Sequence, residues 1–83
     1  MDERERAEKD MKKLDRMLGL FKEMGLGRKY PQVLEYAENY ANDARHFFKK
    51  GDWFTAFGAA NYAYGFLDAV LVIEGKKDES TTF

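Results

Sequence analysis

Few side chains in this sequence are of the kinds that perform catalysis or bind metals, and they are not spaced as a catalytic group. Among the 83 residues there is one histidine, His46, and no cysteine. Disulfides, thiolate metal sites and metal sites built from several histidines are therefore excluded. His46 falls on the polar side of a helical pattern, where no carboxylate is placed to orient it as a general base. We interpret it as a solvated surface residue, and we expect no metal and no cofactor.

Three polar residues are candidates for a binding site at a boundary between helices. Asn61 and Asp68 are seven residues apart and share one edge of a helix, and Asp43 lies at the edge of the preceding helix's apolar arc. Such groups often fix helix register through hydrogen bonds, and a small-ligand or cation site at this polar seam is the alternative. Their spacing does not indicate a catalytic pair of carboxylates, so we expect no enzymatic activity.

Four cations form a second candidate site. Arg28 and Lys29 lie in the first link between helices, and Lys76 and Lys77 follow the last helix, so an up-down-up bundle brings them to one end. There they would contact phosphate, or complement the helix C-terminal dipoles. The 14 basic and 15 acidic residues give a net charge of −1, which provides no overall field for nucleic acid or a membrane. Nucleic-acid or nucleotide binding at this end is therefore the alternative hypothesis for function.

Three helices are predicted to position these residues. Apolar residues recur at helical spacing, and no alternating pattern predicts a strand. The helices are predicted at about residues 3–24, 31–50 and 52–74. The residues expected to cap them are Gly25, Gly51, Asp52 and Gly75.

The short links between these helices indicate the fold class. We predict an all-α protein, a left-handed up-down-up three-helix bundle that resembles a spectrin repeat and has a long first helix. Residues 1–75 form the single domain, and residues 76–83 are expected to be a flexible polar tail.

The last helix is apolar on more than one side. Between Trp53 and Ile73 the only charged residue is Asp68, and a second apolar face lies outside the core stripe. A helix that is apolar all round is enclosed by protein or lies in lipid. The polar Asn61 and Asp68 argue against lipid. The residues of this second face, which we predict to be an interface, are Ala59, Tyr62, Phe66, Ala69 and Ile73.

Two glycines in the middle of the last helix support a close contact. Glycine inside a helix costs about 1 kcal/mol relative to alanine. Gly58 and Gly65 therefore indicate a tight approach by another backbone or a bound group, or space for bulky neighbours such as Tyr36 or Phe47.

Several short segments of the two later helices form a combination that resembles one known family. They are Tyr40-Ala41-Asn42-Asp43-Ala44, Phe47-Phe48, Gly51-Asp52, Ala56-Phe57 and Asn61-Tyr62-Ala63-Tyr64-Gly65-Phe66-Leu67-Asp68-Ala69. The combination resembles the short archaeal proteins grouped as domain of unknown function family 357, over residues from about 30 to 75 and more loosely over the first helix. The resemblance implies a three-helix bundle, an archaeal source and no established activity, and it carries no catalytic motif.

The sequence therefore predicts a non-enzymatic interaction module. A chain of this size without disulfides or metal needs dense helix packing or a second copy for stability. The second face of the last helix favours a homodimer or another protein partner, with no role for a membrane and none expected for nucleic acid. The N-terminal Met-Asp-Glu-Arg-Glu-Arg lacks the pattern of a signal peptide, so we expect a cytoplasmic protein.

Overall fold

The fold is entirely helical. The structure is a computed structural model that describes all 83 residues. Its elements are α1 (Glu3–Glu23), α2 (Leu26–Lys29), α3 (Pro31–Lys49), α4 (Trp53–Ile73) and a 3₁₀ turn (Glu79–Thr81). The predicted all-α class is confirmed, and the left-handed up-down-up arrangement stays a prediction.

Helix α1 has clear start and stop signals. The Asp2 carboxylate accepts a hydrogen bond of 2.8 Å from the backbone N–H of Glu5, which satisfies one of the free donors of the first turn. Gly25, with φ of 75°, adopts the left-handed conformation that ends the helix. The chain then turns directly into the next element.

The short helix α2 occupies a segment in which the sequence predicts only a link. Leu26 is buried and belongs to the core, and Gly27 faces α3. A Cβ atom on Gly27 would lie 2.8 Å from the Cδ2 atom of Leu34, so glycine allows this close approach. Four residues are too few for hydrophobic periodicity to reveal such a helix.

One core of 13 buried residues joins the three long helices. Helix α3 contributes only alanines to it, such as Ala41, and α4 contributes Ala60 and Ala63 beside three larger residues, so the two helices can approach closely at these alanines. Larger side chains from α1, including Met17 and Phe21, fill the space above them. The three helices therefore pack with α4 in contact with both α1 and α3.

Polar contacts at the rim of the core fix the helix directions. Asp15 pairs with Arg45, and Lys22 pairs with Glu38, so these contacts follow α1 and α3 in opposite senses. Between α1 and α4, Asn61 donates a hydrogen bond of 2.7 Å to Asp10. These exposed pairs orient the helices and add little stability individually.

The C-terminal segment, predicted as a flexible polar tail, packs against α4. Residues 76–83 turn back beside α4, Thr81 is only 2% exposed, and the backbone N–H of Phe83 donates to the hydroxyl of Tyr64 at 3.2 Å. Asp78 caps the 3₁₀ turn in a capping box with Thr81. The segment folds because Lys77 pairs with Asp68 and because the side chains of Asp78 and Thr81 satisfy the segment's own backbone. The polar composition of this segment does not reveal such specific pairing.

Candidate interface on α4

An apolar strip of α4 faces away from the core. The buried residues of the helix all lie on one side, since they are spaced three and four apart. On the opposite side, Phe54 and Ile73 are each 76% exposed, and Tyr62 and Val72 are more than half exposed. We name this strip the α4 face. Its exposed members are Phe54, Gly58, Tyr62, Gly65, Ala69, Val72 and Ile73.

The residues predicted as an interface divide into two groups. Tyr62, Ala69 and Ile73 are exposed on the α4 face, whereas Ala59 and Phe66 are half-buried at its border with α3. All five nevertheless lie on or beside one continuous surface.

An aromatic cluster forms the border between the α4 face and α3. Phe66 stacks with Tyr36 at a ring-centroid distance of 6.0 Å and meets Tyr62 edge-on at 5.0 Å. Tyr40 lies 4.7 Å from Tyr62. The sequence pattern assigns Tyr36 and Tyr40 to the apolar arc of α3, and it does not reveal that they extend the surface of α4. The position of Tyr36 at the edge of that arc is the one signal that points to this role.

Gly65, one of the two glycines of the α4 face, lines a shallow, open groove. This groove has a volume of about 500 Å³ and mostly apolar walls, formed by Val33, Asn61, Tyr62, Gly65, Phe66, Ala69 and Val70. A Cβ atom built on Gly58 or Gly65 would meet no atom within 4 Å. Neither Tyr36 nor Phe47 fills that space, so nothing within the chain explains these glycines.

The α4 face carries no net charge. Asp68, the only charged residue within the helix, lies beside the face and pairs with Lys77. The hydrogen bond to Asp68 raises the pKa of the Lys77 ammonium. The Lys77 ammonium thus offsets the charge of the Asp68 carboxylate, and the surface next to this pair is apolar.

The residues of the predicted polar seam do not come together. Asn61 donates to Asp10 on α1 and to the backbone carbonyl of Phe57, while Asp68 holds Lys77 of the C-terminal segment. Asp43 is exposed on α3 and takes part in no side-chain hydrogen bond or ion pair. Asn61 and Asp68 thus tie α4 to its neighbours, and the three residues form no common site.

The four cations predicted to contact phosphate are only partly free. Lys29 pairs with Glu74 at 2.7 Å, and Lys77 pairs with Asp68, whereas Arg28 and Lys76 are exposed and have no acidic partner. The hydrogen bond with Glu74 raises the pKa of Lys29, and the same bond lowers the pKa of Glu74. Two of these cations therefore act within the fold, where they tie α2 to α4 and the C-terminal segment to α4.

The predicted capping residues lie at helix ends. Gly51 and Gly75 have φ values of 81° and 68°, in the left-handed region that glycine adopts without strain. The Asp52 carboxylate accepts a hydrogen bond of 3.2 Å from the backbone N–H of Thr55 at the start of α4. These residues explain why α3 and α4 follow each other so closely, which brings their outer surfaces together.

Neither His46 nor any acidic group forms a metal centre. His46 is exposed and contacts the ring edge of Phe47 at a centroid distance of 5.3 Å. No group of three or more histidine, cysteine, aspartate or glutamate side chains is close enough to hold a metal ion.

Helix α4 also passes a simple test for a membrane span. It is long and apolar enough to cross a bilayer, and 33% of its most apolar window is buried inside the protein. The core helix of a soluble protein passes the same test, and α4 supplies a large part of this core.

Comparison with known proteins identifies a family for this chain. The family described as "Protein of unknown function (DUF357)" matches residues 5–75, which include nearly all of α1 and the whole of α2 to α4. No curated protein and no solved structure matches the chain.

Proposed function

Because the chain belongs to DUF357, a family whose description gives no activity, we propose a function from its surface. The protein is a non-enzymatic interaction module that forms a homodimer through its α4 face. The observation that carries this proposal is the open space at Gly58 and Gly65, beside large exposed apolar side chains.

The two glycines are costly for an isolated chain. Each destabilises the middle of a helix by about 0.8–1.0 kcal/mol relative to alanine. No atom of the chain lies near enough to require glycine at either position. A second backbone that packs against α4 would require it, because small residues allow helices to approach closely. Gly19 in α1 is equally open, so the glycines support a helix of another molecule as the occupant of the α4 face only together with the large apolar side chains exposed around them.

The absence of charge on the α4 face supports a second copy as that occupant. In a two-fold symmetric dimer the same surface meets itself, so any unpaired charge near its centre would face a like charge. The α4 face avoids this repulsion because Asp68 is already paired with Lys77. It also offers no charge pattern by which a different protein partner would be selected.

The small size of the chain also favours a dimer. A folded chain of 83 residues buries a modest apolar area, and this one has no disulfide and no metal site to add stability. Association would bury Phe54, Tyr62 and Ile73, which are the kind of large side chains that anchor protein interfaces. A dimer would then add buried apolar area to the modest area of the single core.

The proposal includes a place of action and a topology. We expect the module to act in the cytoplasm. We also expect it to be a left-handed up-down-up bundle in which the side of α4 opposite the core is exposed. The opposed pairs Asp15–Arg45 and Lys22–Glu38 support the direction of α3 relative to α1.

Two glutamate variants test the proposal with a matched control. Gly65→Glu places a charge at the centre of the α4 face, whereas Gly19→Glu makes the same change in α1, where a Cβ atom also meets nothing within 4 Å. Sedimentation velocity should show dimers for the wild type and Gly19→Glu, and monomers for Gly65→Glu. Equal association of both variants would refute an interface at α4.

Nucleotide binding at Arg28, Lys29, Lys76 and Lys77 stays the alternative. Its support is weaker, since Lys29 and Lys77 already hold Glu74 and Asp68.

A further inference from the structure

A row of cations runs along α1, outside the α4 face. Its members are spaced three, four and three residues apart, so they share an arc of about 80° on the helix surface. They are Arg6, Lys9, Lys13 and Arg16. We name them the α1 row. All are exposed except Lys13, which is half-buried.

The α1 row keeps most of its positive charge. Lys9, Lys13 and Arg16 form no ion pair, whereas the neighbouring Lys12 pairs with Glu8 at 3.3 Å. The concave surface along the row is lined by two carboxylates, Glu5 and Glu8, and by four cations, Lys9, Lys12, Lys13 and Arg16. This surface therefore has a local excess of positive charge on a chain whose net charge is −1.

Aromatic rings lie at two points along this row. Phe83, brought back by the C-terminal segment, lines a concave surface of about 420 Å³ together with Lys9, Lys13 and Arg16. The guanidinium of Arg6 lies over the ring of Phe57 at 5.6 Å. Cations in a line with flat rings beside them are the two elements of a surface that binds single-stranded nucleic acid.

We infer that the α1 row binds single-stranded nucleic acid, with phosphates on its cations and a base stacked on Phe83. From Arg6 to Arg16 the row rises about 15 Å, the length of roughly four stacked nucleotides. The inference does not depend on a dimer, because the row lies on α1 and the proposed interface on α4.

An anionic membrane fits this surface less well. The exposed aliphatic side chains Val72 and Ile73 lie at the far end of α4 from α1's first turns, and the exposed apolar groups near the row are limited to Met1 and Phe54 at its first turn. The rings in contact with the row's surface, Phe57 and Phe83, are half-buried. A flat anionic bilayer would also meet Glu5 and Glu8, whereas a narrow strand can follow the cations alone.

Fluorescence anisotropy with a short labelled oligouridylate tests the inference. With four phosphate contacts, binding to the wild type should weaken roughly 50-fold when salt rises from about 50 to 200 mM. The triple variant Lys9→Gln/Lys13→Gln/Arg16→Gln should lower the slope of log affinity against log salt by about 2. Phe83→Leu, which removes the ring and keeps an apolar side chain, should weaken binding about fivefold or more.

A second triple variant controls for net charge. Arg28→Gln/Lys50→Gln/Lys76→Gln also removes three exposed cations that have no acidic partner. Arg28 and Lys76 belong to the four cations of the alternative nucleotide site. This control variant should bind nearly as the wild type does. Equal losses in the two variants, loss in the control alone, no binding at low salt, or binding to phosphatidylserine vesicles but not to the oligonucleotide would each overturn the inference. Circular dichroism verifies that all variants remain helical.

Discussion

Glycine supplies the most informative comparison at the scale of single residues. Gly19 in α1 and Gly65 in α4 are both inside long helices, and a side chain at either would meet no atom of the same chain. In an isolated molecule, glycine at either position therefore has the same cost relative to alanine. Only a second molecule on the α4 face makes them different.

Alanine substitution at Gly19 and at Gly65 tests whether a second molecule packs against Gly65. Gly19→Ala should raise the free energy of unfolding by about 0.5–1 kcal/mol, because alanine loses less backbone entropy in a helix. Gly65→Ala should raise it by less or lower it, because the added methyl group would separate the two α4 helices of the proposed dimer. Urea unfolding at matched protein concentration gives both values. If Gly65→Ala stabilises the protein as much as Gly19→Ala does, no backbone packs against that position.

Sequence reasoning works well for residues whose role is set by local geometry. A glycine or aspartate between two periodic segments identifies a helix end without knowledge of the fold, as at Gly51 and Asp52. The sequence does not reveal the partners of Asp68 and Asn61, because these partners come from other elements. Their contacts depend on tertiary structure, so the sequence suggests a polar seam that the fold does not form.

At the scale of elements, the C-terminal segment shows what hydrophobic periodicity does not predict. The long helices α1, α3 and α4 repeat an apolar pattern over five or more turns, and that pattern predicts them. Residues 76–83 have no such pattern and consist mostly of polar side chains. The segment is ordered by a few specific bonds, including the Lys77–Asp68 pair and the Asp78 cap. Each bond joins groups that composition alone assigns to solvent.

The order of this segment should depend on acid pH through Asp78. Hydrogen bonds from the hydroxyl and the backbone N–H of Ser80 hold the pKa of the Asp78 carboxyl below its ordinary value. A carboxyl whose pKa is lowered by folding contributes stability above its unfolded pKa, and this contribution is lost as pH falls through the folded pKa. The 3₁₀ turn should therefore open only at pH values below the ordinary range of aspartate side chains.

Amide chemical shifts of Ser80 and Thr81 measure this opening directly. They should move together in a transition below the ordinary aspartate range, and Asp78→Asn should abolish the transition while leaving α4 unchanged. A transition at the ordinary aspartate value would contradict the proposed role of the cap.

At the scale of the whole molecule, the proposed homodimer depends on apolar surface that the single chain leaves exposed. Helix α4 packs on α1 and α3 with one side, and the molecule is only 16 Å across in its thinnest direction, so the other side of α4 lies at the surface. The sequence predicts this excess, because α4 has few polar residues on any side. It does not predict that Tyr36 and Tyr40 widen the α4 face, since only the packed fold shows which edge of α3 lies beside it.

The mass of the unmodified protein in solution shows whether two copies associate through the α4 face. Multi-angle light scattering at tens of micromolar should give twice the chain mass of 9.7 kDa, with the α4 face of each copy covered by the other. A compact particle with the mass of one chain at that concentration would contradict the account, because the α4 face would then be exposed to water in the native protein.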